Sequence, residues 1–168
     1  MNTRHDGVAV KLLRGALAGL VAGAAASFAM DRFQAAFAAL SAGDDDEESE
    51  PSTQKAADRV ATLLTGQAVV DADKPLAGQA VHYALGIGLG VAYGIAAEFR
   101  PAVTAGFGSA FGIATATLID EAAVPAIGLG EAPWNAGLSS NLYSYASHLV
   151  FGGTAELVRA QVAGTLKP

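Results

Sequence analysis

Apolar residues fill four long stretches of this chain, and polar residues gather between them. Residues 12–40, 76–99, 101–129 and 138–162 are dominated by Ala, Gly, Leu, Val and Ile. At ~1.5 Å of rise per residue, a helix over any of them covers the ~30 Å hydrocarbon core of a bilayer. A soluble bundle would instead alternate charged and apolar positions at helical spacing. Residues 12–30 hold only one strongly polar side chain, Arg14, and residues 78–97 offer only Gln79 and His82. The pattern predicts an all-α polytopic membrane protein with four transmembrane helices.

The polar segments set the topology. Residues 41–75 form a loop that opens on an acidic run, Asp44 to Glu50, which should be solvated. Within it, residues 52–64 predict a short amphipathic helix with Ser52 as its cap. Ala56, Val60, Leu63 and Leu64 fall on one face, opposite Lys55, Asp58 and Arg59. Such a helix lies on the membrane surface or over the mouth of the bundle. Trp134 sits in the turn before the last stretch, where an indole suits the membrane interface. Cations in the N-terminal tail, at Arg100 and at Arg159 and Lys167 alternate with the acidic loop and the Trp134 turn. The positive-inside rule then puts both termini in the cytoplasm. Arg4, Lys11 and Arg14 before an apolar run also resemble the start of a signal peptide. Retention is expected, because a matching stretch recurs inside the chain.

That match is an internal repeat. Gly19, Gly23 and Asp31 stand at the spacing of Gly108, Gly112 and Asp120. Tyr93, Gly94, Glu98 and Arg100 are echoed by Phe151, Gly152, Glu156 and Arg159. Each half reads as a helical hairpin, and the two hairpins are parallel repeats about an axis along the membrane normal. Gly86, Gly90 and Gly94 continue the same four-residue stripe on the second helix. Small residues so spaced let helix backbones approach closely, and exposed glycine faces favour a homo-oligomer.

Composition narrows the function classes. The chain has 168 residues, 52% of them hydrophobic and 15% charged, which is one domain with few charges. Its net charge of −6 comes almost wholly from the acidic loop, and no face is basic enough for nucleic acid. The absence of cysteine removes disulfides and thiolate metal sites. Gly86-x-Gly88-x-Gly90 lies inside a span with no preceding strand, so it is no dinucleotide loop. Ser139, Ser140, Ser144 and Ser147 stand outside any nucleophile elbow. The acidic run lacks the spacing of a calcium loop. No catalytic residue, cofactor or metal site is predicted.

The candidate chemistry is a buried polar series, because acids and histidines inside a membrane are costly and mark functional or pairing sites. Counted from Arg14 and Arg100, Asp31 and Asp120 lie roughly 25–30 Å from the cytoplasmic boundary. His82 and Glu121 fall near that outer level, and His148 falls near mid-depth. Glu98, Glu156 and Arg159 belong to the inner mouth. Three readings follow. The groups fix helix pairing through ion pairs, for instance Arg32 with Asp120 or Glu121, and Arg159 with Glu156. Alternatively, they sense or conduct protons or pass a small solute. As a third reading, His82, His148 and carboxylates hold a divalent cation, although no HExxH-like spacing is present.

These residues resemble the YagU-like family of uncharacterised bacterial inner-membrane proteins. The likeness runs from His82 through Tyr93, Glu98, Pro101, Gly108, Gly112, Pro125, Gly128 and Pro133 to His148, Glu156 and Arg159. The first helix matches less well, and the acidic loop with its amphipathic helix does not align. The resemblance implies a multi-pass inner-membrane protein loosely associated with acid tolerance, with no established catalytic residues. The leading expectation is a non-enzymatic membrane protein whose buried acids and histidines respond to protons or pass a small solute. The alternative is a scaffolding subunit whose charges only fix packing.

Overall fold

A computed structural model of the chain describes residues 7–41 and 50–167. The first six residues and most of the acidic run, residues 42–49, lie outside the described residues. All regular elements among the described residues are helical. They are α1 (Val8–Ser41), α2 (Ser52–Thr65), α3 (Lys74–Phe99), α4 (Ser109–Thr115), a π-helical segment (Ala116–Ala123), α5 (Val124–Ala126) and α6 (Leu138–Thr165). Short 3₁₀ turns at Asp71–Asp73 and Pro101–Thr104 lead into and out of α3.

Two helices are long and apolar enough to cross a membrane. They run over Val8–Leu40 and Asp71–Phe99. The fourth stretch forms one helix of 28 residues, α6, whose polar side chains keep it out of that class. The third stretch departs from the continuous helix that its composition predicts. Gly106, Phe107 and Gly108 take positive φ angles of 63°, 56° and 85°, so the chain bends before α4 begins. Further on, the backbone widens into the π-helical segment. Pro125 lacks an N–H, and in an α-helix its ring crowds the carbonyl four residues back, at Glu121 inside that segment. Gly128 then ends the run at a φ of 70°.

The four helical stretches run up and down. α1 packs on both α3 and α6, α4 packs on α6, and α2 lies against α3. The start of α1, the end of α3 and the end of α6 therefore share one end of the bundle, here called the basic end. The opposite end is covered by α2. There Arg59 donates to the carbonyl of Ile127, and Asp58 accepts from the Val69 amide at 3.0 Å and faces Lys74 at 3.5 Å.

The interior is built from small side chains. Ala18, Ala22, Ala26, Ala116 and Ala155 are fully buried, as are Ser27 and Ser147. Leu12, Leu13, Leu17, Leu20, Val21 and Phe28 of α1 point outward instead. This is the reverse of a water-soluble bundle, and it leaves backbone-level packing as the main attraction between helices. On the α1–α3 face, Gly15, Gly19 and Gly23 meet Gly94, Gly90 and Gly86. A methyl at Gly90 would lie 2.6 Å from the Gly23 Cα, and one at Gly15 would lie 2.7 Å from the Gly94 carbonyl oxygen. On the α4–α6 face, Gly108 and Gly112 meet the backbone of Gly152 and His148. The two faces differ by one turn from the register of the sequence repeat: Gly19 opposes Gly90, whereas its counterpart Gly108 opposes Gly152, the counterpart of Gly94.

Larger residues fill only the centre. Ala26, Met30, Phe151 and Ala155 form a cluster against which Leu89 and Phe111 pack. Phe33 and Phe37 of α1 add a second contact, to Tyr143 of α6, at centroid distances of 6.4 and 4.8 Å.

The glycine contacts generate a paired prediction. Gly90→Ala should lower unfolding stability in mild detergent by about 1–3 kcal/mol, the usual cost of overpacking. Gly88 sits one turn-face away with nothing within 4 Å of its added methyl. Gly88→Ala should therefore be neutral or stabilising by up to ~1 kcal/mol. Equal melting of the two variants would refute close packing at Gly90.

Candidate functional site

The polar groups collect at the two ends of the bundle, in pairs of different chemistry. At the α2-covered end, Asp31 projects from α1 toward α3, where Gln79 and His82 stand three residues apart on one helix face. Asp31 Oδ1 lies 3.2 Å from His82 Nε2, and Gln79 Nε2 donates to Asp31 Oδ2 at 2.5 Å. The same histidine nitrogen is 3.5 Å from the Ser27 carbonyl oxygen. The Tyr83 ring meets His82 edge-on at 5.6 Å. Both partners are largely buried, with side chains 14% and 21% exposed.

A second acid and histidine meet in the same half of the bundle. Asp120 lies in the π-helical segment and faces Ser144 and His148, one turn apart on α6. Ser144 Oγ donates to Asp120 Oδ2 at 2.7 Å. His148 Nδ1 is 3.0 Å from the Ser144 carbonyl oxygen and 3.5 Å from Asp120 Oδ2. Nδ1 thus faces both a backbone carbonyl and a carboxylate. His148 is buried, whereas Asp120 is over one-third exposed.

At the basic end, arginines replace the histidines. Arg14 of α1 donates through Nε and Nη2 to Glu98 Oε2 of α3, the Nε contact being 3.0 Å. Their side chains are 6% and 7% exposed. Glu156 of α6 takes two 2.7 Å bonds from Arg159, Nε to Oε2 and Nη2 to Oε1. Tyr93 of α3 donates its hydroxyl to the same Oε2, also at 2.7 Å. A forked arginine on both oxygens is the strongest geometry available to a carboxylate. The tyrosine extends the pair across to α3, which does not pack along α6.

Aromatic rings separate the two ends. Tyr93 stacks on Phe111 at 4.1 Å, Phe111 lies 5.9 Å from Phe151, and Phe151 lies 6.4 Å from the His148 ring. The vertical series expected from the sequence thus resolves into two groups. His148 is joined to Asp120.

Other expectations are corrected. Arg32 pairs with neither Asp120 nor Glu121, and its guanidinium lies over the Phe28 ring at 5.4 Å. Arg32 follows Asp31 by one residue, so a helix that turns Asp31 toward α3 turns Arg32 away, beside the exposed Phe28. Glu121 forms no ion pair among the described residues. His82 and His148 join different carboxylates, and among the described residues no group of three potential ligands is assembled for a metal. Arg14, Gln79 and Tyr93 are site residues that the sequence reading passed over. Laying the α1 and α3 glycine stripes in antiparallel register would have placed Arg14 near Glu98, and Asp31 near Gln79 and His82.

The family model described as "Protein of unknown function (DUF1440)" matches residues 48–157. The matched region holds α2, α3, the broken third stretch and most of α6, and it leaves out α1. It begins well before His82, so it takes in the amphipathic helix that the YagU-like resemblance left unaligned. No curated protein and no solved structure matches.

The Glu156 site predicts a contrast between single and double substitution. Glu156→Leu strands Arg159 and the Tyr93 hydroxyl, and should cost about 3–5 kcal/mol of unfolding stability. Glu156→Leu with Arg159→Met removes both charges and should recover most of that loss. If the double variant unfolds as readily as the single, the pair is not a compensated unit.

Proposed function

The chain belongs to the DUF1440 family, and we propose that this member is a non-enzymatic integral membrane protein that senses protons at its α2-covered end. The observation that carries the reading is the doubled histidine–carboxylate contact, Asp31 with His82 and Asp120 with His148. Histidine is the side chain whose ordinary titration falls between pH 5 and 8. Protonating His82 turns a dipolar contact into an ion pair that draws α3 onto α1. Protonating His148 does the same between α6 and the π-helical segment. π-Helical turns occur often at functional sites, and this one carries Asp120.

The membrane setting rests on several features together. Two apolar helices of sufficient length, a lipid-like outer surface and a small-residue interior suit a bilayer. In the full reading, the broken third stretch and α6 complete four spans of a bacterial inner membrane, in keeping with the YagU-like resemblance. Lys11, Arg14, Arg100, Arg159 and Lys167 cluster at the basic end, which favours a cytoplasmic placement for it and for both termini. The histidine pairs then face the outside, where an acid challenge arrives.

Sensing is preferred to conduction because the rings of Tyr93, Phe111 and Phe151 stand between the two polar ends. The competing reading is a scaffolding subunit whose charges only fix packing. It draws on the Glu156–Arg159–Tyr93 group, which is fully compensated and free of histidine.

Trp134, the single tryptophan, is exposed in the turn before α6 and reports on the sensing end. In proteoliposomes, its emission should shift cooperatively as pH falls from about 8 to 5, within the histidine range. His82→Gln with His148→Gln should abolish the shift while helicity by circular dichroism is kept. A wild-type protein without the transition, or a double variant that retains it, would put the scaffolding reading first.

A further inference from the structure

The basic end contains a cavity of about 350 Å³ whose lining includes Lys11, Arg14, Glu98, Arg159 and Lys167. We infer that this cavity holds a phosphate group, carried either by an anionic phospholipid or by a free phosphorylated solute. The inference is independent of proton sensing, which concerns the opposite end.

The charge balance comes first. Four cations line the cavity among the described residues, and two of them are already paired, Arg14 with Glu98 and Arg159 with Glu156. Arg14, Lys167 and Arg159 all act electrostatically on the Glu98 carboxylate. The other acid nearby, Glu156, has both oxygens engaged by Arg159. Among the described residues, neither Lys11 nor Lys167 forms an ion pair. Lys11 Nζ instead lies 5.9 Å from the Phe99 ring centroid. Two lysines without an ion pair among the described residues, set on one partly enclosed space, repel one another, and a bound anion offsets that repulsion.

Geometry points the same way. Arg159 is held rigid through Nε and Nη2, and its Nη1 has no partner among the described residues. A guanidinium fixed in this manner loses little further entropy on gripping a phosphate oxygen. The two lysines add mobile point charges at the rim. A volume of this size falls within the range of small-ligand sites and exceeds the needs of a single chloride. Leu12, Leu13 and Phe99 are exposed beside the mouth, where acyl chains would lie if the phosphate belongs to a lipid. Basic pockets between membrane helices are suited to such headgroups.

Isothermal titration of the full-length protein, delipidated in a neutral detergent, tests the inference. The probes are dihexanoyl phosphatidylglycerol and inorganic phosphate, with chloride as the control anion. Saturable binding of at least one probe is expected, weakened at least tenfold by Lys11→Gln with Lys167→Gln. Each single variant is measured as well, with a smaller loss in the same direction, so the result does not depend on the double variant accumulating. Binding of the lipid without competition from phosphate assigns the site to a phospholipid. Competition between the two assigns it to the phosphate group itself. Absence of saturable binding by either probe, affinities unchanged in all three lysine variants, or equal competition by chloride would overturn the inference.

Discussion

Backbone contact between α1 and α3 governs the remainder of this structure. Gly15, Gly19 and Gly23 oppose Gly94, Gly90 and Gly86 so closely that a single added methyl at most of these positions would enter the facing backbone. Packing at that distance admits one register, because a slide of one residue would bring Leu or Val against the partner helix. The register in turn decides which polar groups meet. It lays Arg14 beside Glu98 at one end and Asp31 beside His82 and Gln79 at the other. The polar ends are consequences of the glycine face between them.

The ends differ in the partners that their acids meet. Arginine stays charged throughout the biological pH range, so Arg14–Glu98 and Arg159–Glu156 are permanent ties. Asp31 and Asp120 instead meet the imidazoles of His82 and His148. The permanent ties join the end of α3 to α1 and reach α6 through the Tyr93 hydroxyl. The histidine contacts join α1 to α3, and α6 to the widened π-helical turn.

Much of the architecture was legible from the chain. The long stretches dominated by apolar residues coincide with α1 and α3, because a run of about 20 mostly apolar positions has few alternatives to a helix. The amphipathic spacing of Ala56, Val60, Leu63 and Leu64 located α2 for a similar reason. The third stretch was misjudged. Its hydropathy resembles that of its neighbours, but Gly106 and Gly108 permit a left-handed bend and Pro125 forbids an ordinary α-helical bond. Hydropathy alone is blind to both effects. The repeat suffered from the same blindness: matched glycines marked the contact faces without revealing that the second face is displaced by a turn.

The site divides along the same line. The residue types carry their own chemistry, so Asp31, His82, Asp120, His148 and Glu156 could be selected as costly buried groups, and local spacing alone put Arg159 one turn from Glu156. Which groups meet across helices was a matter for the tertiary structure. One residue of rotation on α1 turns Asp31 toward α3 and Arg32 toward Phe28, and the sequence contains no term for that rotation. Arg14 and Tyr93 became site residues only because helices distant in sequence bring Glu98 and Glu156 within reach. Helix formation depends on neighbours along the chain and was therefore written in the order of residues. Pairing depends on shape complementarity between helices, which exists only once the glycine faces have closed.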